Sequence, residues 1–394
     1  MDETQLPHIV RNTMLPYGQQ WLDEEDIAAV VEVLRGDLIT QGPVIQAFET
    51  KVANYVGAQY AVAFANGTAA LHGACFAAGI SQGDEVITTP ITFLASSNCI
   101  LYQGATPVFA DIDMNTYNLD PGQVELKITE NTKAIIAVDF SGQPVEMDRL
   151  NMISKDNDLV LIEDAAHSLG ASYQKVKVGS WADMTMFSFH PVKHVTTGEG
   201  GVIVTNNKQY YNQLQLFRSH GVNRNPDEML NNEGPWYYEM HSLGYNYRMT
   251  DIQAALGVSQ MNKLDQFVKR RREIAEQYDR ELAGIKGLVL PYQHEGSNSS
   301  WHIYVTRWLP EVLNGTRKEF FEALRNLNIG VNVHYIPVYL QPYYQKLGYE
   351  PGLCPNAEHY YNTAITLPLY PRMSEQDVKD VINAVRKVVH DFSE

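Results

Sequence analysis

The stretch "YAVAFANGTAALHGACFAAGISQGDEVITTP", residues 60–90, decides the fold. Tyr60 to Phe64 is a short apolar run that reads as a buried strand. Asn66-Gly67-Thr68 follow as a loop that opens a helix of small residues. Asp84 to Pro90 reads as the next strand. Strand, helix and strand in close succession ask for a sheet with helices laid against it.

The same alternation continues outward. Downstream, "TFLASSNCILYQG" reads as a helix, and "TPVFAD", "KAIIAVDF", "DLVLIED", "MTMFSF" and "GVIVT" read as strands. Apolar β-branched runs alternating with helices predict an α/β fold: a mostly parallel central sheet covered on both faces. Upstream, "LDEEDIAAVVEVLRGD" reads as a helix with Asp23 as N-cap and Gly36 at its stop, and Pro43 marks another helix start after the loop "LITQGP". From Thr250 to Leu282 the pattern predicts one long helix leaving the sheet. Beyond it lie a strand, "WHIYVTRW", and two helices, "RKEFFEALRNLN" and "SEQDVKDVINAVRKVVHDF". We therefore expect a large α/β domain over 1–260, N-terminal segment included, and a smaller α+β domain over 261–394.

Bulk properties narrow the function. With 394 residues, 44% hydrophobic and 19% charged, the chain reads as globular. A formal net charge of -16 argues against a dedicated nucleic-acid surface. It leaves room for an anionic ligand held by backbone N–H groups. The opening "MDETQLPHIV" lacks a signal-peptide core, and no apolar stretch is long enough to span a membrane. Cys75, Cys99 and Cys354 neither pair up nor sit at metal spacing. Together these predict a reduced, cytoplasmic enzyme with no membrane partner.

Ligands of open α/β sheets gather at the carboxyl ends of strands, and four groups fall there. Asn66-Gly67-Thr68 can be an anion site at a helix start, or an ordinary turn. Glu163 and Asp164 can hold a ring nitrogen or a metal, or cap a helix. Phe93 can stack on a planar ligand or fill the core. Lys193 stands with Ser188 in "MFSFHPVKHVTTGEGG", residues 186–201, as its one lysine. An apolar setting lowers a lysine's pKa and suits an amine nucleophile, whereas pairing with Glu199 would be purely structural. A lysine with an anion site and an acid nearby is the set that a Schiff base to pyridoxal phosphate requires. His190 and His194 have zincin spacing, but Pro191 breaks the helix between them, so no metal is expected. No G-x-G-x-x-G follows a strand, which removes a nicotinamide reading.

Taken together, "LITQGP", "ANGTAAL", "TTPITFLAS", "EDAAHSLG", "FSFHPVKHVTTGEGG" and "GYNYRMTDIQAALG" give a chain that resembles the sugar-nucleotide aminotransferases. This is a fold-type I pyridoxal-phosphate family, and the resemblance runs from about Leu15 to the C-terminus. It implies that Lys193 bonds to the cofactor and moves the proton, and that Asp164 pairs with the pyridinium nitrogen. It implies that Phe93 stacks on the ring and that His167 meets the 3-hydroxyl. Gly67, Thr68 and Ser188 would hold the phosphate, aided by Asn246 from a second subunit of a homodimer. Tyr17, Asp37, Leu38, Ile39, Thr40, Val333, His334, Tyr335 and Ile336 match substrate-binding positions. The segments "VDFSGQPVEM", "FRSHG" and "VHYIPVY" are similar to the pseudaminic acid branch. That branch aminates C4 of UDP-2-acetamido-2,6-dideoxy-β-L-arabino-hexos-4-ulose with L-glutamate as donor. Other readings are a GDP- or dTDP-linked keto-sugar substrate, a sugar 3-dehydratase (against which Lys193 argues), and a non-catalytic binding or regulatory relative.

Overall fold

A computed structural model describes residues 11–393. The leading "MDETQLPHIV", and with it the expectation about a signal segment, lies outside the described residues.

Seven strands form the central sheet: β1 (Tyr60–Phe64), β2 (Glu85–Thr88), β3 (Thr106–Phe109), β4 (Thr132–Val138), β5 (Val160–Asp164), β6 (Met184–Ser188) and β7 (Gly201–Thr205). Their order is β1-β7-β6-β5-β4-β2-β3. The pairs β2/β3, β2/β4, β4/β5 and β5/β6 are parallel, while β7 runs against both β6 and β1. The sheet is therefore mostly parallel, with one reversed strand.

The longer helices that organise the rest include α1 (Glu24–Arg35), α2 (Pro43–Val56), α3 (Gly67–Ala77), α4 (Ala95–Tyr102), α5 (Met147–Asp156), α6 (Lys208–Phe217), α7 (Asp251–Met261), α8 (Leu264–Leu282), α9 (Arg317–Asn326) and α10 (Glu375–Asp391). Strand alternation assigns the two faces of the sheet. Val62, Ile136, Ile162 and Met186 pack with Ala70 and Ala74 of α3 and Cys99 of α4. Ala61, Phe187, Val202 and Val204 pack on the opposite side with Phe48 of α2 and Phe267 of α8.

The expected single helix from Thr250 to Leu282 is two helices. They part at Asn262 and Lys263, and tertiary contacts account for the break. Lys263 Nζ turns onto Asp23 and lies 3.0 Å from Asp26 of α1, while Gln260 Nε2 donates to the same Asp26 carboxylate at 2.7 Å. Asp23 forms the expected cap on α1, as one half of a capping box with Asp26.

A second, antiparallel sheet has the order β8 (Leu288–Val289), β9 (Tyr304–Trp308), β10 (Ala364–Leu367). Its apolar side packs with Ile274 and Tyr278 of α8, Phe320 of α9 and Val385 of α10. Leu15, from the N-terminal segment, belongs to this same cluster and bridges to Ile329. Among the described residues no helix is long and apolar enough to cross a membrane. The three cysteines are buried free thiols.

Candidate active site

The carboxyl ends of β5 and β6, the start of α3 and the segment around residues 332–335 enclose a cavity of about 1000 Å³. Asp164 reaches it because strand alternation sends Ile162 and Asp164 to the α3/α4 face. Ser96 Oγ of α4 donates to Asp164 Oδ2 at 2.6 Å, and the Ala166 amide donates to Oδ1 at 3.2 Å. Burial raises the Asp164 pKa, and these two donors and nearby Lys193 oppose that rise. Glu163 points the other way and accepts from Thr185 Oγ1 at 2.8 Å. It does not line the cavity.

Lys193 sits on the turn after β6, where its amide donates to the His190 carbonyl at 2.9 Å. It makes no ion pair with Glu199, so the structural alternative fails. Burial lowers its pKa from 10.5 to about 8; Asp164 pulls it up and Arg271 pushes it down. Its apolar setting therefore makes about a tenth of the amine neutral at pH 7, far more than a solvated lysine would offer.

The anion site is built from backbone. Asn66 caps α3 by accepting from the Ala69 amide at 2.9 Å. The Gly67 and Thr68 amides have no acceptor among the described residues. Gly201 explains how β7 can pass so close: a Cβ there would lie 2.5 Å from the Asn66 carbonyl oxygen. Ser188, at the end of β6, also faces the cavity.

Phe93 lines the cavity with 61% of its surface exposed, which overturns the core alternative. His167 Nε2 lies 3.3 Å from the Tyr335 hydroxyl, and its buried Nδ1 has no partner. Tyr17, Val333, His334 and Tyr335 line the opposite wall. Asp37, Leu38, Ile39, Thr40, Asn246 and Ile336 do not line it. All six are exposed in the chain. Asp37 to Thr40 run beside the start of α7, where Thr40 bridges to Thr250 and the Asp251 amide donates to the Ile39 carbonyl at 3.1 Å.

The cavity also holds residues that motif reading did not single out: Ser96, His302, His72, Tyr245 and Tyr247. Ser96 could have been found, since it lies on the helix that opens after Phe93. His302 carried no signal, being one residue in a run read as a strand. Among the described residues no group of three or more His, Cys, Asp or Glu could hold a metal ion.

These residues fit a planar, phosphorylated pyridine aldehyde. There is an amine of lowered pKa for the aldehyde, a carboxylate for the ring nitrogen, free amides for the phosphate, an exposed aromatic for the ring face, and an unpartnered imidazole nitrogen for a ring hydroxyl. Residues 20–386 match the DegT/DnrJ/EryC1/StrS aminotransferase family. The chain belongs to this family. It is a pyridoxal-phosphate-dependent sugar-nucleotide aminotransferase.

Among relatives, it is 43% identical to the spore coat polysaccharide biosynthesis protein SpsC of Bacillus subtilis, covering 96% of this chain and 98% of that one. It is 38% identical to the UDP-4-amino-4,6-dideoxy-N-acetyl-beta-L-altrosamine transaminase of Campylobacter jejuni, over 93% of this chain and 96% of that protein. The solved structure of Helicobacter pylori PseC, an aminotransferase involved in the biosynthesis of pseudoaminic acid, superposes with a TM-score of 0.90. Its identity is 34%, over 96% of this chain and 100% of that one. The PLP form of a putative sugar aminotransferase from Streptococcus pneumoniae, Spr1654, gives a TM-score of 0.90 at 32% identity, over 96% and 99%.

Proposed function

We propose that the enzyme aminates C4 of UDP-2-acetamido-2,6-dideoxy-β-L-arabino-hexos-4-ulose, with L-glutamate as amino donor, in pseudaminic acid synthesis. What supports this reading is the cavity together with two relatives, the C. jejuni protein named for UDP-4-amino-4,6-dideoxy-N-acetyl-beta-L-altrosamine and the H. pylori one named for pseudoaminic acid biosynthesis. SpsC, at higher identity, favours a second reading: another nucleotide-linked keto-sugar destined for a polysaccharide.

Pyridoxal 5′-phosphate, when bound, supplies carbanion stabilisation. The chain supplies the rest. Lys193 Nζ takes the proton from the donor's Cα and returns protons during the exchange, a task that requires its neutral form. Asp164 would hold a proton on the ring nitrogen. Gly67, Thr68 and Ser188 would hold the phosphate, Phe93 would cover the ring, and His167 would meet the ring hydroxyl. Tyr17 and Val333 to Tyr335 orient the sugar nucleotide.

In this reading Asp37 to Thr40 and Ile336 contact the sugar nucleotide beyond the cavity wall, and Asn246 reaches the phosphate site of a second subunit in a homodimer. The exposed apolar residues Leu38, Ile39, Leu243 and Tyr245 beside them support such a face.

A panel of 4-keto UDP-, GDP- and dTDP-sugars with glutamate, with the product's regiochemistry and stereochemistry read by NMR, tests the substrate. Amination of the UDP-sugar at C4 to the L-altro product is expected. Preferred turnover of a GDP- or dTDP-sugar, or amination at C3, would move the enzyme to the second reading.

A further inference from the structure

A lysine that serves as a base needs a direction as well as a suitable pKa. Lys193 Nζ lies 3.5 Å from Nε2 of His302, the long end of hydrogen-bond reach. His302 is 4% exposed and is fixed by its backbone just ahead of β9. Its amide donates to the Ser141 carbonyl at 2.9 Å. Its carbonyl accepts from Arg271 Nη1 of α8 at 3.0 Å, and the same guanidinium nitrogen binds the Trp301 and Leu369 carbonyls at 3.2 and 2.9 Å. The ring packs against that of His167, with centroids 4.3 Å apart. Its other nitrogen, Nδ1, is buried without a partner.

Two proton arrangements can join the pair. In one, Lys193, as ammonium or as neutral amine, donates to Nε2, so the neutral ring must carry its proton on Nδ1. That leaves a buried N–H donor unpaired, beside a desolvated charge when Lys193 is the ammonium, and each costs free energy. In the other, Nε2–H donates to the lone pair of a neutral amine, and only a lone pair at Nδ1 goes unmatched. The second arrangement avoids both penalties. The surroundings keep His302 neutral, since burial and the neighbouring cationic groups push its pKa well down. Asp164, Arg271, His167, His190, His194 and His334 also act on Lys193 or are acted on by it. Of the imidazoles among these, none lies as close to Nζ in a hydrogen-bonding contact.

We propose that His302 is a positioning residue for Lys193: in its Nε2–H tautomer it donates to the neutral amine, holds that amine in one orientation and favours it over the ammonium. This rests on the reading of Lys193 as the reacting amine. The step moves no net charge onto His302; the proton taken from substrate resides on Lys193, and the hydrogen bond re-forms when Lys193 gives it up.

The first test reads the tautomer in the full-length wild-type protein, stripped of cofactor and labelled with 15N-histidine, at a pH above the titration of Lys193. The His302 signal is assigned by its loss in His302→Gln. A protonated Nε2 with a bare Nδ1 is expected, and the opposite tautomer would overturn the proposal. The second test follows acylation of Lys193 against pH by peptide mapping. In His302→Asn the amide reaches the Nδ1 position but not that of Nε2, so the apparent lysine pKa should rise and turnover should fall about tenfold to a hundredfold. His302→Gln, whose amide N–H can occupy the Nε2 position, should restore most of both. An Asn variant whose lysine pKa stays put or falls would refute the role. Failure of the Lys193 reading would show separately, as borohydride fixing the cofactor to a different residue of the wild-type enzyme.

Discussion

At the scale of single residues, the cavity separates two neighbouring carboxylates by one step of strand alternation. Asp164 faces Lys193, and Glu163 faces Thr185. Asp164→Asn removes a charge from the ring-nitrogen position and should lower turnover by about a hundredfold or more while leaving cofactor binding largely intact. Burial pushes the Glu163 carboxyl up to about 7, so it spends much of its time protonated, and Glu163→Gln is close to isosteric with that form. Its effect should be several-fold at most; the reverse order of severity would mean that the wrong carboxylate has been assigned. Lys193→Ala loses nucleophile and base together and should cost at least about a thousandfold in turnover. In the cofactor-stripped protein, acylation of Lys193 should rise through a pKa of about 8, not 10.5, because burial favours the neutral amine. Asp164, Lys193 and the Gly67 turn were legible because each follows an apolar run whose length and alternation fix its direction. His302 was not. Its place depends on Arg271, contributed by a helix 31 residues earlier, and on the Ser141 carbonyl from the turn after β4.

Elements show the same division between local and tertiary causes. The mostly parallel sheet followed from buried strands and their connecting helices, and the starts of α1 and α3 followed from the Asp23 cap and the Asn66-Gly67-Thr68 turn. The break between α7 and α8 did not, because no glycine or proline marks it and the attraction of Lys263 to Asp26 comes from another helix. The start of α2 is a further case. Its N-cap is Gly42, which offers no side chain. Asp251 of α7 takes over that role, accepting from the Gly42, Val44 and Ile45 amides at 2.7, 3.0 and 3.3 Å. Asp251→Ala leaves those helix-start donors unsatisfied and should destabilise the protein by about 2 kcal/mol, read as a lowered urea midpoint. Asp251→Asn keeps one acceptor oxygen and should lose less. The loop of Asp37 to Thr40 is anchored to the same place through the Ile39 carbonyl, so the Ala variant should also raise KM for the sugar nucleotide more than it lowers kcat. An Ala variant with wild-type stability would show that water replaces the carboxylate at this helix start.

At the scale of the whole molecule, the proposed role of Asn246 at a partner's phosphate site is open to a direct test. Asn246 is exposed and bridges to Ser219; its neighbours Tyr245 and Tyr247 line their own chain's cavity, but Asn246 does not. The local alternative, a helix cap, is already filled, because Thr250 caps α7 by accepting from the Gln253 amide at 3.2 Å. The test mixes two inactive variants, Lys193→Ala and Asn246→Asp, under conditions that exchange subunits. If Asn246 acts on the partner's phosphate site, a mixed dimer has one site with both defects and one site with neither. Random mixing of equal amounts makes about half of the dimers mixed, so roughly a quarter of wild-type activity should return. If Asn246 serves its own chain, every site carries one defect and nothing returns. Asn246→Asp alone must be folded and inactive for the comparison to hold, and its circular dichroism and weakened cofactor retention establish that. The recovered activity should also depend on subunit exchange, rising with incubation time and failing to appear when each variant is cross-linked as a homodimer beforehand. Recovery that ignores cross-linking would place Asn246 outside the shared site, whereas recovery lost with cross-linking fixes it at the two-fold interface.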